Sequence, residues 1–266
     1  MTATLSSIHV YPLKSCAPLA LDAAHVQARG LEHDRRWMVV DADGRFVTGR
    51  QHPRLTLIRA EPAGDALQLR APDMPELCLT PAPDRRRRLV EVWGSRVDAR
   101  IAAAAADAWI SAFLGIPARF AHMDADCRRA VDPEHSRPGD IVSFADGYPL
   151  LAISQAALDL LNARLAKPVS MLRFRPSLVL AGTAPHAEDD WKRMRIGDVD
   201  FDVAKPCIRC VFTTVDFERG AFDASGEPLR TLLTYRRTPK GVSFGQNLIP
   251  RGTGMLRVGD AFEPLA

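Results

Sequence analysis

From Leu5 to Trp93 the chain is cut into strand-length pieces by turn residues. Leu5 to Tyr11 can alternate between two faces, and Trp37 to Asp41 and Arg45 to Thr48 flank the turn Asp41-Ala42-Asp43-Gly44. Leu55 to Ala60 and Ala66 to Leu69 flank Pro62-Ala63-Gly64-Asp65, while Leu77 to Thr80 and Leu89 to Trp93 are shorter runs of the same kind. Short runs bounded by Gly, Asp and Pro predict hairpins, and hairpins of this length bury their apolar residues by closing into a small barrel or a curled sheet.

The period changes at Ile101. Ile101, Ala105, Trp109 and Phe113 recur at i+4, with Ile110 and Leu114 beside them and Gly115 and Pro117 as a stop, which predicts an amphipathic helix. Phe120 to Met123 is a brief extended stretch. Asp124 to Pro149 is long and polar enough for a functional loop, and a domain junction falls near residue 120, dividing the chain into 1–120 and 121–266. Ser154 is placed to cap a second helix carrying Leu158, Leu161 and Leu165, with Pro168 ending it. Strands are expected at Ser177 to Ala181, Arg195 to Val203, Cys210 to Asp216 and Leu256 to Phe262, with a short helix near Leu229 to Leu233. The fold class is therefore mostly β with a few helices: an N-terminal β domain packed on a C-terminal β-barrel.

Composition limits the function classes. In 266 residues, 47% hydrophobic and 25% charged side chains are enough for a sizeable core, and a formal charge of +3 is too small for a dedicated nucleic-acid binder. The run Arg85 to Arg88, after Pro81 and Pro83, reads as a solvated loop tip. The first twelve residues have neither a basic n-region nor a long apolar run, so the expectation is a cytoplasmic protein with no membrane anchor. Seven histidines without ligand spacing give no all-histidine metal site. GxGxxG and GxxxxGK are absent, which leaves direct nucleotide use without support.

Five cysteines, odd in number and irregular in spacing, argue against a disulfide scaffold, and only Cys207 and Cys210 lie close together. They stand in Lys205-Pro-Cys-Ile-Arg-Cys-Val-Phe-Thr-Thr-Val-Asp216, where Pro206 stiffens the approach and Val211 to Val215 favour extended structure; the thiols are expected where a loop enters a sheet. A structural zinc site would want a second pair, and a thioredoxin-type pair would want a helix after the first thiol. A single thiolate on a soft or redox-active metal with Arg209 beside it stays open, as do two buried structural thiols.

This segment is similar to the cysteine motif of the MOSC family, in particular of the mitochondrial amidoxime-reducing components and their bacterial stand-alone relatives. YPLKS (Tyr11 to Ser15), HDRRWMVVD (His33 to Asp41), VTGRQHPRL (Val47 to Leu55), FRPSLVL (Phe174 to Leu180), IGDV (Ile196 to Val199) and FGQN (Phe244 to Asn247) follow in the family's order, so the resemblance spans nearly the whole chain. It implies a MOSC N-terminal β-barrel followed by a MOSC domain, and a molybdenum-pyranopterin cofactor whose metal is bound by the second cysteine, here Cys210. It further implies that Lys14, Ser15, Arg35, Asp146, Gly147, Tyr148, Arg175, Ile208, Arg209 and Asn247 contact that cofactor. Such a ligand carries phosphate and a flat ring edge, so cations and polar groups have to converge from distant segments. At Asn247 the family has an aromatic residue, and an amide hydrogen bond would stand in its place; Cys207 would sit behind the metal-binding thiol.

The implied activity is reduction of small N-hydroxylated compounds, with electrons from a separate ferredoxin-like or cytochrome b5-like donor and its reductase. No nucleic acid and no membrane enter as partners. A cofactor or sulfur carrier without turnover, and a basic β-barrel binding module with a structural cysteine pair, are the other classes these residues allow.

Overall fold

The computed structural model describes residues 3–64 and 66–265. It is mostly strand, with three α-helices among the described residues: α1 (Ala104–Leu114), α2 (Gln155–Asn162) and α3 (Leu229–Tyr235). The largest sheet runs in the spatial order Leu19–Leu21, Thr4–Val10, Leu178–Ala181, Leu150–Ser154, Gly241–Pro250, Val199–Arg209, Arg193–Ile196, Phe262–Leu265, with Arg237–Thr238 also paired to Gly241–Pro250. One pair in it, Leu150–Ser154 with Leu178–Ala181, is parallel, and α2 supplies the crossover that a parallel pair requires. A four-stranded sheet orders Trp37–Asp41, Ala118–His122, Ser95–Ile101 and Arg87–Val92. Two three-stranded sheets, Arg59–Ala63 with Ala66–Arg70 and Leu77–Leu79, and Gly254–Arg257 with Ala23–Gln27 and Gly30–Leu31, complete the frame.

The sheets cross the midpoint of the chain. Thr4–Val10 pairs antiparallel with Leu178–Ala181, and Ala23–Gln27 pairs with Gly254–Arg257, so the first strands complete sheets built mainly by the last third. Conversely, Ala118–His122 pairs with Trp37–Asp41. Leu5, Ile8, Val10, Leu178, Leu180, Phe201, Leu248 and Phe262 form one core inside the large sheet. Trp37, Leu55, Leu69, Leu79, Trp109, Phe113 and Phe120 form another against α1.

Local chemistry explains most boundaries. Asp41 Oδ1 accepts from the Asp43 and Arg45 amides at 2.9 Å, and Gly44 takes φ 86°, which closes the expected first hairpin. α1 begins three residues after Ile101, because Ser95–Ile101 continues as a strand and buries Ile101 from that side; Gly115 at φ 70° ends the helix. Ser154 does cap α2, its Oγ accepting from the Ala157 amide, but the helix stops at Asn162, and Leu165 packs on the core from the loop. Leu55 lies in the 3-10 turn Pro53–Leu57, with the strand starting only at Arg59 and holding Pro62 and Ala63; Asp65 of the expected turn lies outside the described residues.

Two further expected strands each divide in two. Arg195 to Val203 is two strands joined at Gly197, φ 52°, and Leu256 to Phe262 is two strands separated by a turn at Gly259, φ 97°. The run after the cysteines also differs. Val211–Thr214 is a 3-10 turn, not a strand, and extended structure resumes only at Val215–Asp216. The Cys210 carbonyl accepts from Thr213 N and Oγ1 at 3.1 and 3.0 Å, and this local bonding outweighs the extended preference of Val and Thr. Consequently the thiols lie where a strand leaves its sheet, at the end of Val199–Arg209, not where a loop enters one. The Arg85 to Arg88 run is exposed at its tip, but Arg87 is tied to Asp98 and Asp124 at 2.9 and 2.6 Å.

Candidate active-site cleft

A cleft is lined by segments from both halves of the chain. Lys14, Ser15, Arg35, Asp146, Gly147, Tyr148, Arg175, Ile208, Arg209, Cys210 and Asn247, all the residues singled out in the sequence, line it. Backbone hydrogen bonds fix the segments that carry them: Lys14 N to Trp37 O and Arg35 N to Tyr11 O at 2.9 Å, and Phe144 N to Arg35 O at 3.0 Å.

The cationic side is held tightly. Lys14 is 5% exposed; its ammonium donates to Asp146 Oδ1 at 2.6 Å and to the Phe144 carbonyl at 2.7 Å. Burial lowers the Lys14 pKa to about 8, although Asp146 pulls it up. Asp146 points into the open mouth of the cleft, also accepting from Trp93 Nε1 at 3.1 Å. The enclosing walls push its carboxyl upward, but the Lys14 ammonium outweighs them and holds it well below the usual range. Arg35 donates to the fully buried Asp34 at 2.6 Å, and Asp34 accepts from the Tyr11 amide with its other oxygen at 2.8 Å. Tyr11 is sandwiched, with the Arg35 and Arg175 guanidinium carbons 4.2 and 4.0 Å from its ring centre.

Arg175 donates Nη1 to the Cys16 carbonyl at 2.7 Å, leaving Nη2 buried without a partner. Burial lowers its pKa to about 10, opposed by Tyr11. Arg209 donates to the Phe174 carbonyl at 2.6 Å and to Cys207 Sγ at 2.9 Å, with Nε buried and unpaired. Tyr148 likewise keeps a buried, unpartnered hydroxyl, and Asn247 donates to the Lys205 carbonyl at 3.3 Å. Buried donors without partners cost stability unless a ligand satisfies them.

The backbone tells the same story. Eight non-glycine residues among those described have φ in the left-handed region, and four of them, Ser15, Arg35, Trp93 and Arg175, line this cleft. Strain of that kind costs of order 1–3 kcal/mol per residue and persists where the surroundings enforce it, typically at a binding site.

Among the cleft residues not singled out in the sequence as site residues, Gly49, Arg50, Trp93, Arg173 and Phe212 make the most specific contacts. Arg50 stacks its guanidinium 4.4 Å from the centre of the Trp93 ring; Arg173 donates to the Thr214 carbonyl at 3.0 Å; Phe212 and Gly49 meet across the cleft wall. Gly49 and Arg50 lie in VTGRQHPRL, a segment matched for family order alone, and Phe212 lies in the cysteine segment, where it was read only as extended structure, whereas Trp93 and Arg173 carry no local signal. Behind the wall, the buried Arg129 donates to the carbonyls of Ser143, Ala145 and Asp146, bracing the loop that presents Asp146. In the sequence it is one of two adjacent arginines and indistinguishable from its neighbour.

Chemically, the cleft suits a large anionic ligand with a flat polar ring. Cys210 is exposed at its edge and Cys207 is half-buried behind it. Among the described residues no group of three His, Cys, Asp or Glu side chains could hold a metal ion. A metal here would take one thiolate from the chain and its remaining donors from an organic group. The unpaired Arg175 Nη2 and Arg209 Nε are donors such a group would need, so these residues fit a metal carried on a pyranopterin.

Residues 2–117 match the family model of the MOSC N-terminal beta barrel domain, and residues 139–263 match that of the MOSC domain. Mitochondrial amidoxime-reducing component 1 of Xenopus laevis is 34% identical to this chain, over 96% of it and 80% of the relative. The human protein of the same name is 35% identical, over 97% of this chain and 81% of its own. The crystal structure of the YUAD protein from Bacillus subtilis overlays on 98% of this chain and 94% of its own, at 11% identity and a TM-score of 0.43.

Proposed function

This chain belongs to the MOSC family, and on that premise we propose that it is a molybdenum-cofactor oxidoreductase that reduces N-hydroxylated compounds with electrons from a separate protein. The observation that carries the reading is the convergence of Lys14, Arg35, Arg175 and Arg209 from four distant segments on one cleft that also exposes Cys210. The names of the relatives, amidoxime-reducing components, supply the substrate class. The division of the chain into 1–120 and 121–266 is likewise a proposal: the two family matches lie on either side of the junction, while the sheets cross it.

In this reading Cys210 is the metal ligand, and Lys14, Ser15, Arg35, Arg175 and Arg209 hold phosphate and pterin. Asp146, Gly147, Tyr148, Ile208 and Asn247 shape the remaining contacts. The bound group would supply the two-electron change by which an N-hydroxyl compound takes up two electrons and two protons and releases water. The chain's own part is to hold the anion. Tyr11 keeps the two arginine planes apart, Asp34 fixes the fork of Arg35, and Arg129 keeps the Phe144 to Asp146 loop rigid, so the charges are in place before binding. The exposed side, around Cys210 and Val211, is left for substrate and for the donor, a ferredoxin-like or cytochrome b5-like protein.

A cytoplasmic location is part of the same proposal. Among the described residues no helix is long and apolar enough to cross a membrane, while the relatives are named mitochondrial. The exposed thiol of Cys210 would also serve a cofactor or sulfur carrier, and one assay separates the two. Protein purified from a molybdenum-replete host should contain the metal and, with reduced methyl viologen, convert benzamidoxime to benzamidine. A fully loaded sample that converts no N-hydroxylated substrate removes the reductase reading and leaves the carrier.

A further inference from the structure

Gly49 is buried, and its φ lies outside the left-handed region, so nothing in its backbone angle calls for glycine. The requirement is steric. A Cβ built on Gly49 would lie 2.3 Å from Cε2 and 2.5 Å from Cζ of Phe212, far inside contact distance. Phe212 thus beds its ring edge directly on the main chain of a segment more than 160 residues away in sequence. Each partner has neighbours of its own. The Gly49 segment is held by the Val47 amide on the Val39 carbonyl at 2.8 Å and by Thr48 Oγ1 on Gln51 Oε1 at 3.0 Å. The half-buried Phe212 ring has the Arg175 guanidinium 5.5 Å from its centre and the edge-on Phe217 ring at 6.5 Å, contacts it would have to change in order to retreat.

Phe212 is the second residue of the 3-10 turn Val211–Thr214, for which Cys210 is the N-cap. That turn is tied at its far end, where Arg173 donates to the Thr214 carbonyl at 3.0 Å. At its near end Val211 is 47% exposed and Cys210 is exposed, so beside the Thr213 bonds to the Cys210 carbonyl the Phe212 ring is the apolar anchor nearest the thiol. We infer that Gly49 is a positioning residue for the Cys210 thiol: its missing side chain makes the seat for Phe212, and the seated ring fixes the turn from which the thiol projects. The functional weight of this inference rests on Cys210 being the metal ligand, but the seat itself does not. The pair also predicts its own compensation. A methyl group at 49 needs a smaller, movable side chain at 212, and leucine meets that need without losing the apolar contact.

The test uses the full chain made without molybdenum, so it stands apart from whether the protein is a reductase. Iodoacetamide labelling is followed by peptide mass spectrometry, with the exposed Cys78, in the three-stranded sheet of the other core, as internal reference. Gly49→Ala should change the ratio of Cys210 to Cys78 labelling rates by more than about twofold, and adding Phe212→Leu should return it to within about twofold of the parent, the signature of two coupled sites. A ratio unmoved by Gly49→Ala, or one the double substitution does not restore, overturns the inference. Should Gly49→Ala alone fail to fold, a folded double variant supports the steric seat and an unfolded one overturns it.

Discussion

On one side of the cleft the cations sit deep: Lys14 and Arg175 are 5% and 8% exposed, Arg35 is paired to a fully buried Asp34, and three of the residues, Ser15, Arg35 and Arg175, hold left-handed backbone. On the other side Ile208 and Val211 are 38% and 47% exposed, Cys210 stands open between them, and the backbone at Cys210 is ordinary extended chain. The difference separates two tasks. Gathering positive charge is unfavourable, so the protein must enforce it with burial, counter-charges and strain before any anion arrives. A thiol that has to meet a metal and leave room for substrate needs one firm anchor and otherwise free space.

The largest test of that contrast is Cys210→Ser. On the open side chemistry should fail while binding survives: turnover of benzamidoxime by molybdenum-loaded protein should fall at least about a hundredfold, a loss of about 2.7 kcal/mol or more of transition-state stabilisation, with pterin content retained. Pterin fluorescence after denaturation, measured beside turnover, checks both halves.

On the cationic side the reverse is expected. Arg175→Ala or Arg35→Ala removes a charge-assisted contact worth about 1.5–3 kcal/mol, so cofactor affinity should drop about ten- to a hundredfold, read as pterin and molybdenum content per chain. Unchanged occupancy in both variants would erase the distinction between the two sides.

The pH dependence is a smaller effect and belongs to Lys14. Its pKa is depressed, from 10.5 to about 8, mainly by burial. Below about pH 8 the ammonium is charged in both folded and unfolded chains, and its burial costs stability. Between about 8 and 10.5 the folded chain gives up the proton first, so that cost is relieved as pH rises, while the cleft loses a positive charge. Anion affinity should therefore decline as pH climbs through about 8, by at most about tenfold per unit, and Lys14→Gln should flatten the decline. Titration of the cofactor-free protein with a pterin phosphate across that range measures it.

The smallest effect is expected at Cys207. It is half-buried against the core of α2, and its sulfur accepts from Arg209, so Cys207→Ser keeps an acceptor there and should change turnover by less than about threefold. If Cys207→Ser were the silent-binding, dead variant and Cys210→Ser the mild one, the roles of the two thiols would be exchanged.

Local sequence carried the α2 cap at Ser154, the Gly115 stop and the Asp41 to Gly44 turn, because each depends on groups a few residues apart. The family resemblance carried part of the cleft lining, since the short polar segments holding those residues keep a recognisable order. Local sequence did not carry Gly241–Pro250, a central strand of the large sheet in which two glycines and a terminal proline obscure the alternation, nor the 3-10 turn after Cys210. Trp93 and Arg129 were invisible for a different reason: nothing near them in the chain says that one reaches Asp146 and the other braces its loop.

By itself, then, the sequence determined a mostly β chain of one family and the residue types available for an anion and a metal. Only the tertiary structure decided which of 35 Lys and Arg side chains share a cleft, which of their donors are left unpaired, and that Phe212 rests on Gly49. Caps and turns are settled by groups within a few residues of one another. A cleft is settled by contacts between segments more than a hundred residues apart, and their geometry exists only once the strands of both halves have paired.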